Sequence, residues 1–270
     1  AAEFGPNKLR ICRGRVVREG HNGRSWSRKY VNRQVRRVVA CWKWGVSHEL
    51  VPESSYRTLA TIEPLVKGKT DAPEPRKVQP AELEHVMAAL PHLSKPLAAA
   101  VRLQLLSASR GDEILSMKPG EIDRSHPSGV WFYQPERHKG SWRSDDGPDV
   151  MRRIIGFGPR AQEVLMPLLL RPDDAFVISP ADAPGGGRKH IGQRYSPSTY
   201  RSAIRRACER AGVPTWRPHQ LRHLGTDVAE REFDDIDASK FAGHSDATFS
   251  RKVYISKDIE TITRVVMAVG

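Results

Sequence analysis

The stretch Pro218-His219-Gln220-Leu221-Arg222-His223 decides how this chain is interpreted. His219 and Arg222 are three residues apart, so an α-helix places their side chains on one face. His223 lies one turn beyond His219 on the same helix. A proline is common in the first turn of a helix, where its missing N–H leaves no hydrogen bond unmade. The stretch therefore predicts a helix at about residues 218–231 that presents two imidazoles and one guanidinium.

Further polar motifs lie on both sides of this helix. Downstream, Ala242-Gly243-His244-Ser245 is followed by Tyr254, ten residues after His244. Upstream, Ser109-Arg110-Gly111-Asp112-Glu113 closes an apolar helix, and Lys139 stands in a polar connection between two predicted strands. The chain therefore carries Arg, Lys, His-x-x-Arg, Gly-His and Tyr, in that order.

This ordered set resembles the catalytic motifs of the tyrosine recombinase (phage integrase) family, over about residues 78–254. Glu113 matches the family's acidic residue three positions after its first Arg. Ile122-Asp123 resembles the opening of its first strand, and residues 153–165 resemble its passage from second strand to helix. Each motif alone occurs often by chance, but five motifs in the correct order and spacing form a pattern that is specific to this family.

The residue pattern predicts a mostly helical chain with few strands. Strands are predicted at residues 130–133 and 150–155, with a short one at 176–179. Helices are predicted at residues 80–90, 97–107, 113–117, 159–170, 196–212, 218–231, 236–241 and 246–254, with a closing apolar helix around 259–269. The resemblance implies the same class: mainly α with a small antiparallel sheet, as a tyrosine-recombinase-like catalytic domain plus a helical (SAM-like) core-binding domain.

Cleavage of a phosphodiester needs a nucleophile, groups that neutralise the phosphate oxygens, and an acid for the leaving oxygen. A guanidinium offers paired donors and keeps its charge, which suits Arg110 and Arg222 to phosphate. Tyr254 is the predicted nucleophile; a phenol with a pKa of about 10 needs nearby positive charge or a base to react near neutral pH. His219 and His244 are expected to hydrogen-bond the phosphate oxygens, and which of them takes the tyrosine proton stays open.

The resemblance implies three further roles. Lys139 would protonate the leaving 5′ oxygen from a β-hairpin, Glu113 would orient Arg110, and His223 would support the packing of the site. The structural alternatives are an ordinary exposed Lys139, a surface salt bridge between Arg110 and Glu113, and a structural pair of Arg222 with Asp227 or Glu230.

Two other patterns resemble binding sites only in part. His219 and His223 are spaced as a zinc pair, but the Glu of His-Glu-x-x-His is missing and no third ligand suggests itself. Gly185-Gly186-Gly187-Arg188-Lys189 lacks the Gly-Lys-Ser/Thr ending of a phosphate-binding loop. The sequence therefore predicts neither a metal site nor a cofactor.

The chain is strongly basic, with 44 Lys and Arg against 31 Asp and Glu and a net charge of +13 over 270 residues. Residues 1–75 alone hold 15 basic and 7 acidic residues. Because neutralising phosphates releases counterions, this balance favours double-stranded DNA as the partner over a merely basic enzyme. The candidate DNA-binding residues lie in one predicted basic helix and just before it: Arg24, Arg28, Lys29, Arg33, Arg36 and Arg37.

The prolines Pro73 and Pro75 mark a domain boundary, since proline interrupts helices. We expect a core-binding DNA-clamp domain at residues 1–72, a linker at 73–77 and a catalytic domain at 78–270. The first domain is shorter than its counterparts by a helix or more, which predicts an N-terminal truncation. The first motif also departs from the family, because it reads Ala108-Ser109-Arg110 where members usually show Thr-Gly and a hydrophobic or small residue near the Arg.

Composition narrows the class of protein. With 39% hydrophobic and 28% charged residues, the chain is expected to be globular and cytoplasmic, without a membrane span. Its three cysteines, Cys12, Cys41 and Cys208, are too few and too far apart for a disulfide framework.

The hypothesis is a site-specific DNA recombinase or integrase of a mobile element. It would act as a homotetramer on DNA through a 3′-phosphotyrosyl intermediate. The alternatives are a type IB topoisomerase-like enzyme and a catalytically silent DNA-binding regulator on the same fold. The sequence leaves open whether the 16 residues after Tyr254 pack on their own domain or on a neighbouring protomer.

Overall fold

A computed structural model describes residues 4–20, 23–76, 78–135, 153–185, 193–234, 237, 241–242 and 254–269, with side chains from residue 259 in the last range. The chain divides between Lys77 and Val78 into two compact units. The first unit contains three helices, α1 (Pro6–Glu19), α2 (Arg28–Ser47) and α3 (Glu53–Ala60).

Helix α2 is amphipathic and organises the first unit. Val31 and Val35 are one turn apart and buried, as expected for the apolar stripe of a surface helix. Val35 packs with Leu9 of α1 and Leu59 of α3 in one small core. Since the apolar stripe faces this core, the basic residues of α2 other than Arg28 fall on the exposed side.

The predicted linker begins as part of the first unit. The backbone N–H of Arg28 donates to the Pro73 carbonyl at 2.8 Å. The Arg28 guanidinium donates to the Glu74 carboxylate, with Nη2–Oε2 at 3.1 Å, and to the Leu65 carbonyl at 3.1 Å. Ala72 is buried between these contacts. The chain around these prolines is therefore not free, because it stays attached to α2 through Glu74.

The second unit holds seven helices and three short strands among its described residues. The helices are α4 (Leu83–Ala89), α5 (Lys95–Ser107), α6 (Gly111–Ser116), α7 (Pro159–Leu165), α8 (Pro197–Ala211), α9 (Pro218–Glu232) and α10 (Tyr254–Val269). The strands are β1 (Ile122–Asp123), β2 (Trp131–Tyr133) and β3 (Ile155–Phe157). Short 3₁₀ turns occur at Leu90–His92, Pro119–Glu121, Met166–Leu168 and Pro180–Asp182. The prediction of a mainly α chain with a small antiparallel sheet is confirmed.

Helix ends differ from their predicted positions where proline intervenes. The helix predicted at 80–90 begins at Leu83, and the one predicted at 159–170 ends at Leu165. Each continues into a 3₁₀ turn that contains a proline, because a proline removes the N–H that an α-helical bond needs. The predicted helix 246–254 lies outside the described residues, except for its last residue.

Two strand predictions are corrected. Residues 176–179 do not form a strand; Val177 donates a single backbone bond to the Met117 carbonyl at 2.9 Å. Of the strand predicted at 150–155, residues 150–152 lie outside the described residues, residues 153–154 are not in a strand, and the described strand runs from Ile155 to Phe157. Its extension through Gly156 was missed because glycine usually interrupts a strand.

The three strands form one antiparallel sheet in the order β1-β2-β3. Tyr133 pairs with Ile155, and Phe132 pairs with Gly156. Because successive residues point to opposite faces, Tyr133 and Ile155 join the main core under α5, whereas Phe132 joins a second core. The sheet therefore lies between the main helical core and α10.

Helix α10 packs on its own chain. Ile262, Val265 and Val266 are buried and belong to the second core with Phe132. A Cβ at Gly156 would lie 2.5 Å from Ile262 Cγ2, so the absence of a side chain on β3 is what admits the helix. The described tail thus packs on the domain that carries it. No described helix is both long enough and apolar enough to cross a membrane.

Candidate active site

The turn between α5 and α6 positions the first candidate arginine. Helix α5 ends at Ser107, and Ala108 adopts a left-handed conformation with φ of 45° and ψ of 26°. The chain then returns to an extended conformation at Arg110, the residue that caps the N-terminus of α6. This sharp reversal directs Arg110 back over the start of its own helix.

Arg110 is held in place by Glu113. The Glu113 carboxylate accepts a bond from the Arg110 backbone N–H and another from Arg110 Nη1, each at 2.8 Å. Glu113 is only 3% exposed, and the Arg110 side chain is 32% exposed. The carboxylate therefore fixes the direction of a partly exposed guanidinium. The prediction that Glu113 orients Arg110 agrees with this contact, and its meaning for catalysis stays a prediction.

A second buried cation lies beside Glu113. Arg153, two residues before β3, has its Nε 3.7 Å from Glu113 Oε2. Burial raises the pKa of the Glu113 carboxyl, but the charge of Arg153 and the hydrogen bonds from Arg110 outweigh burial and hold the pKa below its usual value. Glu113 is therefore ionised at neutral pH despite its burial.

Arg222 is the most enclosed member of the predicted set. Its side chain extends from α9, is 1% exposed, and donates through Nη1 to the Ala108 carbonyl at 3.1 Å. Among the described residues, its Nε and Nη2 have no hydrogen-bond partner. Burial, followed by the charges of Arg153 and Arg110, lowers the pKa of Arg222 to about 9. No ion pair joins Arg222 to Asp227 or Glu230 among the described contacts.

Helix α9 is seated against the α5–α6 turn. Gln104 of α5 donates to the Pro218 carbonyl at 2.6 Å. A Cβ at Gly111 would lie 3.4 Å from Pro218 Cβ, so the starts of α6 and α9 are in close contact. Together with the Arg222–Ala108 bond, these contacts bring the Arg110 motif and the His-x-x-Arg motif to one place, although about 110 residues separate them in sequence.

The two histidines of α9 share a face as predicted. Their ring centroids are 4.7 Å apart at an interplanar angle of 73°. His219 is exposed at the start of the helix and His223 is half-buried below it. Within the described residues, no group of three or more His, Cys, Asp or Glu is arranged to hold a metal ion.

The charges at this site do not balance. Within the part of the chain that the structure describes, three guanidiniums, those of Arg110, Arg153 and Arg222, interact with one carboxylate, that of Glu113. Both fully buried guanidiniums retain N–H donors without partners. An excess of buried positive charge with unused donors is costly unless an anion supplies the missing acceptors. The arrangement is thus suited to bind an anion with several oxygen atoms.

Of the other predicted catalytic residues, two lie outside the described residues and one is placed by its backbone alone. Lys139 and His244 lie outside the described residues. Tyr254 is the first residue of α10, and its side chain is not among those described. Two other tyrosines are ruled out as nucleophiles by their surroundings. Tyr133 and Tyr200 are buried, donate to the Glu113 carbonyl and to Gln104 respectively, and have their pKa values raised by burial.

The predicted DNA-binding residues of the first unit fall into two groups. Lys29, Arg33, Arg36 and Arg37 are exposed and follow the i, i+4, i+7, i+8 spacing of one helix face; we call these four residues the basic α2 face. Arg24, just before the helix, is also exposed. Arg28 differs, because its guanidinium is occupied by Glu74 and Leu65 and its side chain is 16% exposed.

Sequence reasoning missed two features. Helix α8 carries a second set of exposed arginines, spread over the half of the helix that faces solvent: Arg201, Arg205, Arg206 and Arg210. The absence of arginine from the apolar positions of this helix was a readable signal. Arg153 matched the family only as the first residue of a longer stretch. Because Arg152 directly precedes it, no local signal in the sequence marks Arg153 as the buried charge.

Comparison with known proteins gives a family match over the later part of the chain. The model of the phage integrase family matches residues 162–260. No curated protein matches the chain by sequence.

Solved structures share the fold at low identity. A dimer of a lambda integrase fragment bound to a core site has a TM-score of 0.59 and 14% identity, covering 96% of this chain and 80% of that one. A lambda integrase tetramer bound to a Holliday junction gives 0.60 and 14%, over 94% and 68% of the two chains. An integrase fragment of the transposon Tn1549, in complex with circular intermediate DNA, gives 0.60 and 14%, over 96% and 81%.

The family model includes the His-x-x-Arg helix and the first residues of α10, and the described fold is that of the integrase structures. The resemblance to the tyrosine recombinase (phage integrase) family, first inferred from the ordered motifs, is therefore confirmed.

Proposed function

We propose that this chain is a site-specific DNA recombinase that cleaves and rejoins DNA through a 3′-phosphotyrosyl intermediate. The observation that carries the proposal is the buried Arg222 guanidinium, whose Nε and Nη2 lack partners beside the cations Arg110 and Arg153. A phosphodiester supplies the missing negative charge and the acceptor oxygens in one group.

The proposed reaction uses the predicted residues in separate roles. The Tyr254 oxygen attacks the scissile phosphorus, its proton passes to His219 or His244, and the bond from phosphorus to the 5′ oxygen breaks. Lys139 donates the proton that the leaving 5′ oxygen needs. Arg110 and Arg222 neutralise the non-bridging oxygens as charge builds on them.

Rejoining is the reverse of this step. A 5′ hydroxyl attacks the phosphotyrosine, and the tyrosine leaves as the phenol. One phosphodiester is exchanged for another ester of similar energy, so the balance requires neither a nucleotide cofactor nor a redox partner.

The proposed partner is double-stranded DNA, with a homotetramer as the recombining assembly. The lambda and Tn1549 integrase structures are bound to DNA, one of them as a tetramer on a Holliday junction. The basic α2 face and the exposed arginines of α8 supply positive surfaces on the two units. We propose that the unit before Val78 acts as the core-binding domain and the unit after it as the catalytic domain.

The test is a covalent selection from random sequence, in which the protein itself chooses its target site. Nicked suicide duplexes with randomised arms are incubated with the protein, denatured, and recovered through the DNA that stays attached. We expect the wild-type chain to recover a defined sequence joined through its 3′ phosphate. The Tyr254→Phe variant should bind the selected duplex but recover none covalently.

The outcomes separate the alternatives. Relaxation of supercoiled plasmid without exchange between two selected sites would favour a type IB topoisomerase-like enzyme. Binding without covalent capture by the wild type would favour a silent regulator. Capture that survives Tyr254→Phe would refute the assignment of the nucleophile.

A further inference from the structure

Arg153 is a charged residue in the interior of the second unit, where burial of a charge costs free energy. It is 7% exposed, lies two residues before β3, and belongs to none of the motifs from which the site was predicted. Burial lowers its pKa, and Glu113 offsets part of that effect. An arginine that only filled space here would be replaced at lower cost by an apolar side chain of similar volume.

The Arg153 guanidinium is anchored on one side by main-chain oxygens. Its Nη1 donates to the Ile154 carbonyl at 3.1 Å and contacts the Phe241 carbonyl at 3.4 Å. Phe241 is itself buried and lies in the second core beneath α10. These contacts fix the guanidinium relative to both the start of β3 and the chain at Phe241.

On its other side the same guanidinium faces Glu113. Nε lies 3.7 Å from Oε2, which is the oxygen that accepts the Arg110 backbone N–H. The second oxygen, Oε1, accepts the Arg110 side chain at 2.8 Å. Glu113 therefore lies between a partly exposed arginine that it directs and a buried arginine that is anchored to the backbone.

We propose that Arg153 is a positioning residue that holds the Glu113 carboxylate in place and ionised, and through it fixes the direction of Arg110. The inference rests on the proposed function, because Arg110 matters only if it meets the scissile phosphate. Arg153 itself need not touch the substrate.

A positioning role predicts that the rate of covalent capture changes much more than the DNA affinity. Misplacing a charged group by about 1 Å costs on the order of 100-fold in rate, whereas binding of a long duplex spreads over many contacts. Loss of Arg153 should therefore slow covalent capture while changing DNA affinity little. Because Arg153 acts through Glu113, losing both residues should cost no more than losing Glu113 alone.

The test uses the full chain and the suicide duplex recovered by the covalent selection. Single-turnover capture rates are compared for the wild type, Arg153→Met, Glu113→Gln and the double variant, and duplex affinity is measured with Tyr254→Phe added to each. Arg160→Met is the matched control, since Arg160 is exposed in the adjoining α7 and its loss removes the same charge. Arg153→Lys tests whether the charge alone rescues the rate.

We expect Arg153→Met to slow capture by about 10- to 100-fold with affinity within about threefold, and Arg153→Lys to recover part of the loss. The double variant should match Glu113→Gln, and it also removes the buried charges as a pair, so it keeps the comparison usable if Arg153→Met folds poorly. Multiplicative losses in the double variant, or a parallel loss of affinity beyond that of Arg160→Met, would overturn the positioning role. If the wild type forms no covalent complex, the proposed function fails, and this inference fails with it.

Discussion

Ala108 is a non-glycine residue in a conformation that favours glycine, at the turn that presents Arg110. Its φ of 45° lies in the left-handed region, and its side chain is completely buried. Its carbonyl accepts the bond from Arg222, so the strained residue connects the two predicted phosphate-binding arginines. The departure from the family pattern, which usually shows Thr-Gly and a hydrophobic or small residue near the Arg, therefore falls at a residue with a strained backbone.

Replacing Ala108 with glycine should lower the free energy of unfolding unusually little for a buried alanine. A left-handed alanine costs about 1–2 kcal/mol, which glycine does not incur. Ala100 is the matched control, because it is equally buried but lies inside α5, where glycine also loses about 1 kcal/mol of helix propensity. Urea unfolding should show Ala108→Gly to be less destabilising than Ala100→Gly by about 2–3 kcal/mol, the sum of the two effects. Equal losses would contradict strain at Ala108.

Glu113 should give the protein a pH-dependent part of its stability. Its folded pKa is held below the ordinary value near 4.5, so its contribution is complete above that value and is lost as the pH falls through the lower, folded pKa. Glu113→Gln should therefore destabilise the fold by about 3 kcal/mol at pH 7, with a smaller difference from wild type below about pH 4.

Urea unfolding at stepped pH measures this difference. Glu163→Gln is the control, since Glu163 is exposed on α7 and makes the same change of charge. A gap between wild type and Glu113→Gln that stays constant from about pH 7 to about pH 3.5 would show that the carboxylate is not the stabilising form.

At the level of elements, α10 depends on a single glycine in β3. The helix buries Ile262, Val265 and Val266 against the sheet, and it begins at the predicted nucleophile Tyr254. A Cβ at Gly156 would approach Ile262 Cγ2 to 2.5 Å, and real contacts of this kind essentially never occur. The packing of α10 on the sheet thus determines, through one continuous helix, the backbone position of Tyr254.

Gly156→Ala should displace this helix. Overpacking of a core typically costs about 1–3 kcal/mol, and here it should also slow covalent capture, because the helix that carries Tyr254 shifts. The melting temperature and the capture rate of Gly156→Ala check both expectations.

Ile262→Ala provides the matched background for this test, since it removes the clashing Cγ2. In that background Gly156→Ala should lower the melting temperature and the capture rate clearly less than it does in the wild type. If Gly156→Ala lowers stability as much in this background as in the wild type, the effect arises within β3 and not from the contact with α10.

The sequence predicted which elements exist better than where they end. The helices α5, α8 and α9 lie within two residues of their predicted bounds, because their apolar spacing and terminal Pro or Gly are local signals. The extension of β3 through Gly156 was not predictable, since only α10, about 100 residues later, explains a glycine there. Arg153 was missed for the same reason: its partners Glu113 and Phe241 are distant in sequence.

At the scale of the whole molecule, the positive charges fall into two groups. One group lies on surfaces exposed to solvent, and the other is buried at the candidate active site. The net charge of +13 includes the basic α2 face and the exposed arginines of α8, while Arg153 and Arg222 are buried. Exposed charges act mainly on affinity and on its salt dependence. If the proposed function holds, the buried charges act on the chemical step, and this difference separates the two kinds of variant experimentally.

The salt dependence of DNA affinity tests whether the basic α2 face contacts phosphates. Each phosphate contact contributes about 0.9 to the slope of log affinity against log salt, so Arg33→Gln/Arg37→Gln should lower the slope by about 2. Arg15→Gln/Arg57→Gln is the matched control, because it removes two exposed positive charges from other helices of the same unit, each already paired with a glutamate. Fluorescence anisotropy with a labelled duplex from about 50 to about 300 mM salt, in the Tyr254→Phe background, measures both slopes. If the two variants lower the slope equally, affinity depends only on net charge and the α2 face is not a specific contact surface.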